Sequence, residues 1–146
     1  MSREPLVSVR RLTKVFGEGE AAAEVLRGID LDLGAGELAA LLGPSGSGKS
    51  TLLTILGTLL RPTGGSHTML GRDLGEASDA ERTRFRSEHI GFVFQFHHLL
   101  PDLTALENVM MPAAACAGRE TADMRRRATE LLDAVGLADR RDYRPA

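Results

Sequence analysis

The chain has 146 residues, 42% of them hydrophobic, and a formal net charge of −2, which is enough apolar content to bury the core of one modest domain. The near-neutral charge argues against a nucleic-acid binder, and the single cysteine, Cys116, leaves no internal disulfide and is read as a small core residue. No run approaches the ~20 apolar residues of a membrane span, and the opening M-S-R-E-P lacks the apolar stretch of a signal peptide, so a soluble cytoplasmic protein is expected.

From the N-terminus, residues 6–12 place Val7 and Val9 in alternation with polar neighbours, the period of a half-buried strand, and lead into Lys14-Val15-Phe16-Gly17. Within residues 25–33, Ile29, Leu31 and Leu33 alternate with Asp30 and Asp32, so a second strand is expected to form an antiparallel pair with the first. Residues 37–42 read E-L-A-A-L-L, a short apolar run of the kind that forms a strand buried on both faces of a parallel sheet.

The next residues, Gly43-Pro44-Ser45-Gly46-Ser47-Gly48-Lys49-Ser50, fit G-x-x-x-x-G-K-[ST] at every position. Such a loop needs backbone amides that all turn toward one anion, and its glycines permit that because they take positive φ cheaply and admit close approach. Lys49 supplies a point charge. The Ser50 hydroxyl is placed to ligate magnesium between the β- and γ-phosphates of a nucleotide, and Thr51 adds another hydroxyl. A flexible Gly/Ser turn is the bland alternative, and the flanking order of apolar strand, loop and apolar helix argues against it.

After the loop, Leu52, Leu53, Ile55, Leu56, Leu59 and Leu60 fall at helical spacing, and Arg61-Pro62-Thr63-Gly64-Gly65 stops the helix. Residues 67–70 are expected to return as a short strand, and Ser78-x-x-Glu81 is a capping box for a polar helix. Residues 89–95, H-I-G-F-V-F-Q, read as a core strand ending in Gln95. Thr104-x-x-Glu107 opens a second helix that Pro112 is expected to kink or end, and Met124, Ala128, Leu131, Leu132 and Val135 form the stripe of a third, terminated by Gly136. Arg82, Arg84 and Arg86, and Arg125, Arg126 and Arg127, have acidic neighbours and read as solvated helix faces. Strands give way to helices near Gln95, which divides the chain into residues 1–95 and 96–146.

In combination these motifs resemble the ATP-binding subunits of ABC transporters, over residues 6–145. The resemblance implies an α/β P-loop nucleotide-binding domain with an N-terminal antiparallel β part, the start of a helical subdomain, and a C-terminal half that is absent. It implies ATP and Mg2+ as cofactors, Phe16 stacking on the base, and Lys49 and Gln95 as the catalytic residues, with Ser50 and Gln95 at the metal. A flat ring suits base stacking because it needs no hydrogen bond, and an amide suits the sensing role of Gln95 because it donates and accepts without charge.

The run Gly91-Phe92-Val93-Phe94-Gln95-Phe96-His97-His98-Leu99-Leu100-Pro101, followed by Leu103-Thr104-Ala105-Leu106-Glu107-Asn108-Val109, looks like the subgroup that serves lipoprotein release, macrolide-type export and cell division. Residues 96–101 most resemble the lipoprotein-releasing type. His97 and His98 invite a zinc reading, but adjacent side chains on an extended chain diverge and no Cys/His pair completes a tetrahedral site. The resemblance instead places them where integral-membrane subunits meet residues 95–108. It further implies a second ATP-binding subunit as partner, no nucleic acid, and a peripheral position on the cytoplasmic face of the inner membrane.

The L-S-G-G-Q-type signature, the Asp-Glu strand and the switch histidine of the family are not found, and Leu131-Leu132-Asp133-Ala134 follows helical spacing with no Glu after Asp133. These residues alone are therefore expected to bind nucleotide weakly without hydrolysing it. Three other readings compete with this one. A nucleoside-monophosphate kinase of guanylate-kinase type would carry its loop nearer the N-terminus, a nucleotide-holding fragment would do no chemistry, and an ABC-type DNA ATPase would be more basic.

Overall fold

In the computed structural model, which describes residues 4–95 and 98–145, the two alternating segments form β1 (Val7–Phe16) and β2 (Ala23–Leu33), paired antiparallel as their pattern requires. Strict alternation would bury Arg11 beneath Val7 and Val9. An extra residue in β1 prevents this: Val9 faces Leu31 and Leu12 faces Ile29, three steps against two. Arg11 takes φ 46° at the bulge, its amide donates to Asp30 Oδ1 at 2.9 Å, and Leu12 turns inward to be fully buried.

After α1 (Lys49–Leu56), β3 (Gly64–Met69) pairs antiparallel with the other edge of β1, and β4 (Arg72–Asp73) pairs with β3, giving the sheet order β2-β1-β3-β4. Leu70 at φ 51° and Gly71 at φ 73° make the two-residue hairpin loop between β3 and β4. Helix α1 lays Leu52 and Ile55 on Val9, Leu12 and Leu26, with Ile29, Leu31 and Leu60 packed around them. Helix α2 (Asp79–His89) starts at the expected capping box, with Ser78 Oγ accepting from the Glu81 amide and Glu81 accepting from the Ser78 amide.

The chain divides into two compact units, residues 1–92 and residues 93–146. In the second, α3 (Ala105–Ala117) and α4 (Ala122–Ala134) pack through Leu106, Met110, Ala128 and Leu132. Thr104 and Glu107 form the second capping box, Thr121 caps α4, and Gly136 follows its end at φ 74°. Pro112 lies inside α3, which continues five residues further to Ala117.

Four expectations are corrected. Residues 37–42 and 90–95 join no strand ladder, and Leu38, Leu42 and Val93 are almost wholly exposed. An apolar run becomes a parallel strand only when neighbouring strands satisfy its backbone, and among the described residues no strand pairs with either segment. His89 closes α2 instead of opening a strand. Cys116 is exposed on α3, because six residues beyond Met110 it stands about 240° around the helix from the buried stripe.

The fourth correction concerns Arg82. It is no part of a solvated face but is 3% exposed, on the same side of α2 as the buried Phe85, facing the turn that follows α1. Its Nη2 donates to the carbonyls of Thr58 and Leu60 at 3.0 and 2.8 Å, and Arg86 Nη1 donates to the Thr58 carbonyl at 3.1 Å. Thr58 is β-branched yet has φ 60°, a conformation that costs roughly 1–3 kcal/mol and that these two guanidinium contacts help to hold.

Candidate functional site

The loop between β2 and α1 is built by its glycines. Gly46 and Gly48 have φ 79° and 87°, and a Cβ on Gly48 would stand 2.9 Å from Leu26 Cδ2 and 3.0 Å from the Val25 carbonyl. No L-residue with a side chain fits there without moving β2. Gly48 is also the N-cap of α1 and offers no side-chain acceptor, so the first-turn amides of the helix have no side chain capping them. The amides and the helix dipole together make that terminus attractive to an anion.

Lys49 folds back over the loop. Its Nζ donates to the carbonyls of Gly43 and Pro44 at 2.8 and 2.6 Å and lies 3.4 Å from Ser47 Oγ. The ammonium thereby spans the loop and sits beside the open helix end. A cleft of about 640 Å³, within the range of small-molecule sites, is lined by Val25, Ser45, Gly46, Gly48, Lys49, Ser50 and Thr51. Ser50 is exposed at the first turn of α1, and an uncharged hydroxyl oxygen there suits a hard divalent cation, which takes oxygen ligands.

Phe16 ends β1 and is 43% exposed, with its ring 5.0 Å from Lys14 Nζ. Lys14 is anchored by donating to the Arg61 carbonyl at 2.9 Å, so the ring has one face near a fixed cation. Phe16 is not among the residues lining the 640 Å³ cleft. Gln95 is exposed at a bend in the second unit. Of the two histidines, His97 lies outside the described residues together with Phe96, and His98, at φ 48°, sits edge-on to Phe94 with centroids 5.2 Å apart.

Two organising residues have roles that sequence reasoning did not identify. Asn108 ties residues 100–104 to α3: its Nδ2 donates to the carbonyls of Leu100, Leu103 and Thr104, and its Oδ1 accepts from the Leu100 amide at 2.8 Å. Val25 forms a wall of the cleft and contacts the space a Gly48 side chain would need. Neither has a local signal, since Asn108 looks like any surface helix residue and Val25 like any strand residue.

A glycine-built loop, a lysine strung across it and an uncapped helix start define a P-loop, the anion cradle of nucleotide-binding proteins. The chain belongs to the ABC transporter family, which it matches over residues 26–146. It is 60% identical to the lipoprotein-releasing system ATP-binding protein LolD 2 of Rhodospirillum rubrum, over 95% of this chain and 60% of that protein. It is 48% identical to the macrolide export ATP-binding/permease protein MacB of Marinobacter nauticus, over 100% of this chain and 22% of that protein.

Among solved structures it is similar to the ATP-binding cassette MJ0796 in a dimeric post-hydrolysis state bound to ADP and Pi. The TM-score is 0.86 at 37% identity, over 95% of this chain and 61% of that one. The chain thus spans about three fifths of the length of the LolD 2 relative.

Proposed function

We propose that residues 43–51 bind the phosphates of ATP and that the protein serves as the ATP-binding subunit of an ABC transporter that releases lipoproteins from the inner membrane. The observation that carries this reading is the Lys49 ammonium held over the glycine loop at the open start of α1, beside a cleft of about 640 Å³. Gly43, Pro44, Ser45, Gly46, Ser47 and Gly48 furnish the cradle, Lys49 the charge, Ser50 and Thr51 hydroxyls, and Phe16 the stacking surface for the base. Mg2+ would be held by Ser50 and would neutralise charge on the phosphates.

The choice of lipoprotein release over macrolide-type export follows the higher identity to the LolD 2 relative. In this reading residues 1–95 are the nucleotide-binding core and residues 96–146 begin a helical part. The region around Gln95 to Asn108 meets the membrane subunits, a second ATP-binding subunit completes the site, and the assembly lies at the cytoplasmic face. No helix among the described residues is long and apolar enough to cross a membrane.

The 146 residues contain no L-S-G-G-Q segment and no Asp-Glu strand, so they hold the ground-state side of phosphoryl transfer only. Titration with a fluorescent ATP analogue and Mg2+ tests the binding claim, and phosphate release tests the chemistry. Saturable binding without turnover by these residues, and turnover by the complete protein with its membrane partners, are the expected results. Turnover by these residues alone, or no nucleotide binding by the complete protein, would refute the assignment.

A further inference from the structure

A second cationic cleft lies in the first unit, away from the phosphate loop, where the turn after α1 faces α2. It measures about 280 Å³, and Arg61, Arg82 and Arg86 line it together with Asp79, Thr58 and Thr83. Three guanidinium groups against one carboxylate leave two positive charges in excess among these residues. Arg61 is committed to Asp79, donating from Nε and Nη2 at 3.0 and 2.9 Å, so that carboxylate is already engaged. Arg82 and Arg86 are left without an anionic partner in the cleft.

A structural explanation accounts for part of this. Cations near a helix C-terminus cap its free carbonyls, and Arg82 Nη2 and Arg86 Nη1 do so at Thr58 and Leu60. It does not account for Arg82 Nη1, which is buried without a hydrogen-bond partner on a side chain that is itself 3% exposed. A buried, unpartnered guanidinium N–H is expensive, and native proteins supply such groups with a partner. The partial negative charge of a helix end, about half a unit, is smaller than the two-charge excess.

From the orphaned Nη1, the uncompensated charge and the cleft, we infer that Arg82 and Arg86 form a binding site for a tetrahedral oxyanion of phosphate type. The guanidinium fork suits such oxygens because it presents several N–H donors in one plane. Thr83, whose Oγ1 accepts from Arg86 Nη2 at 3.3 Å, adds a hydroxyl at the exposed side. The field is consistent with this: burial first, then Arg61, make the Arg82 cation harder to hold, Asp79 opposes them, and Arg86 adds a smaller repulsion, so a bound anion would relieve the repulsion from both arginines. Strain at Thr58, whose carbonyl anchors both arginines, is of the kind that accompanies ligand sites.

The test is a titration of the isotope-labelled complete protein with inorganic phosphate at constant ionic strength, following the amides of Thr58, Leu60 and Thr83 by NMR. Phosphate also enters the loop at Gly46 and Gly48, so the titration is repeated in Lys49→Ala, where the signals around Thr58 should still saturate. Arg86→Gln should weaken that response by roughly tenfold, the loss of one charge-assisted contact. Should Arg86→Gln fail to fold, Thr83→Glu sets a carboxylate at the mouth with all three arginines in place and should also abolish it.

Sedimentation with phosphatidylglycerol vesicles reads the source of the anion. Capture that Thr83→Glu removes assigns the site to a lipid headgroup phosphate, and saturable phosphate binding without capture assigns it to a free oxyanion. Absence of both, or a response unchanged in Thr83→Glu, overturns the inference.

Discussion

Lys49 Nζ is hydrogen-bonded to the Pro44 carbonyl at 2.6 Å, and this contact closes the glycine loop on itself. In the proposed role the ammonium would exchange these backbone carbonyls for phosphate oxygens. Lys49→Ala should weaken ATP binding by about 1.5–3 kcal/mol, the range of a hydrogen bond to a charged group, which is tenfold or more in Kd. Thermal stability should change little, since Lys49 packs into no core cluster. Calorimetric titration beside a melting curve separates the two effects, and undiminished ATP affinity would contradict the role given to Lys49.

Phe16 gives a second test. Its half-exposed ring at the end of β1 offers a π-face, and stacking of a base on an aromatic side chain contributes roughly 1–3 kcal/mol. Phe16→Ala should raise the Kd for ATP about fivefold or more while leaving that for inorganic triphosphate unaltered. Phe16→Tyr should bind like the parent, because the ring is kept. Equal losses for ATP and triphosphate would show that Phe16 shapes the loop rather than meeting the base.

The glycine loop was legible as a pattern because it is contiguous, lying within nine consecutive residues, Gly43 to Thr51. The capping boxes at Ser78 and Thr104 were legible for the same reason, each lying within four residues. The apolar runs at 37–42 and 90–95 misled because periodicity reports what a segment can bury, while a parallel strand exists only through its neighbours. The bulge that turns Arg11 outward was hidden since it depends on the register against β2. Arg82 was misread because acidic neighbours in sequence do not reveal that one side of α2 faces the carbonyls of Thr58 and Leu60. The C-terminal residues had no pattern at all, yet the Arg141 and Tyr143 carbonyls accept from the first amides of α3, those of Leu106 and Ala105.

The box at the start of α3 carries a prediction for the second unit. Thr104→Ala removes the acceptor for the Glu107 amide and should lower stability by about 1 kcal/mol, as N-cap losses do. The Thr104 amide, then its hydroxyl, hold the Glu107 carboxyl below the usual carboxylate range. A lowered folded-state value means that the contribution of Glu107 is present above the ordinary glutamate range and is lost as pH falls through the lower folded-state value. Stability measured by urea unfolding against pH should therefore show a smaller acid loss in Glu107→Gln than in the parent. Coincident slopes would mean the carboxylate is not engaged in solution.

His67 should make the first unit acid-sensitive at a milder pH. It lies on β3, is 1% exposed, and its Nε2 has no hydrogen-bond partner. Burial first, and the Arg82 cation second, push its pKa below the ordinary 6.5, with Asp73 opposing them. The unfolded chain thus binds a proton at a pH where the folded one does not. Stability is full above about 6.5 and falls as pH is lowered from there toward the depressed folded-state value. Replacing His67 with Leu removes the titrating ring while keeping an apolar group in the buried position, so the loss between neutral pH and the onset of carboxylate titration should shrink. The comparison is the difference in unfolding midpoint between parent and His67→Leu across that interval. A difference that stays constant with pH would show that His67 is protonated equally in both states, and the burial argument would fail at this residue.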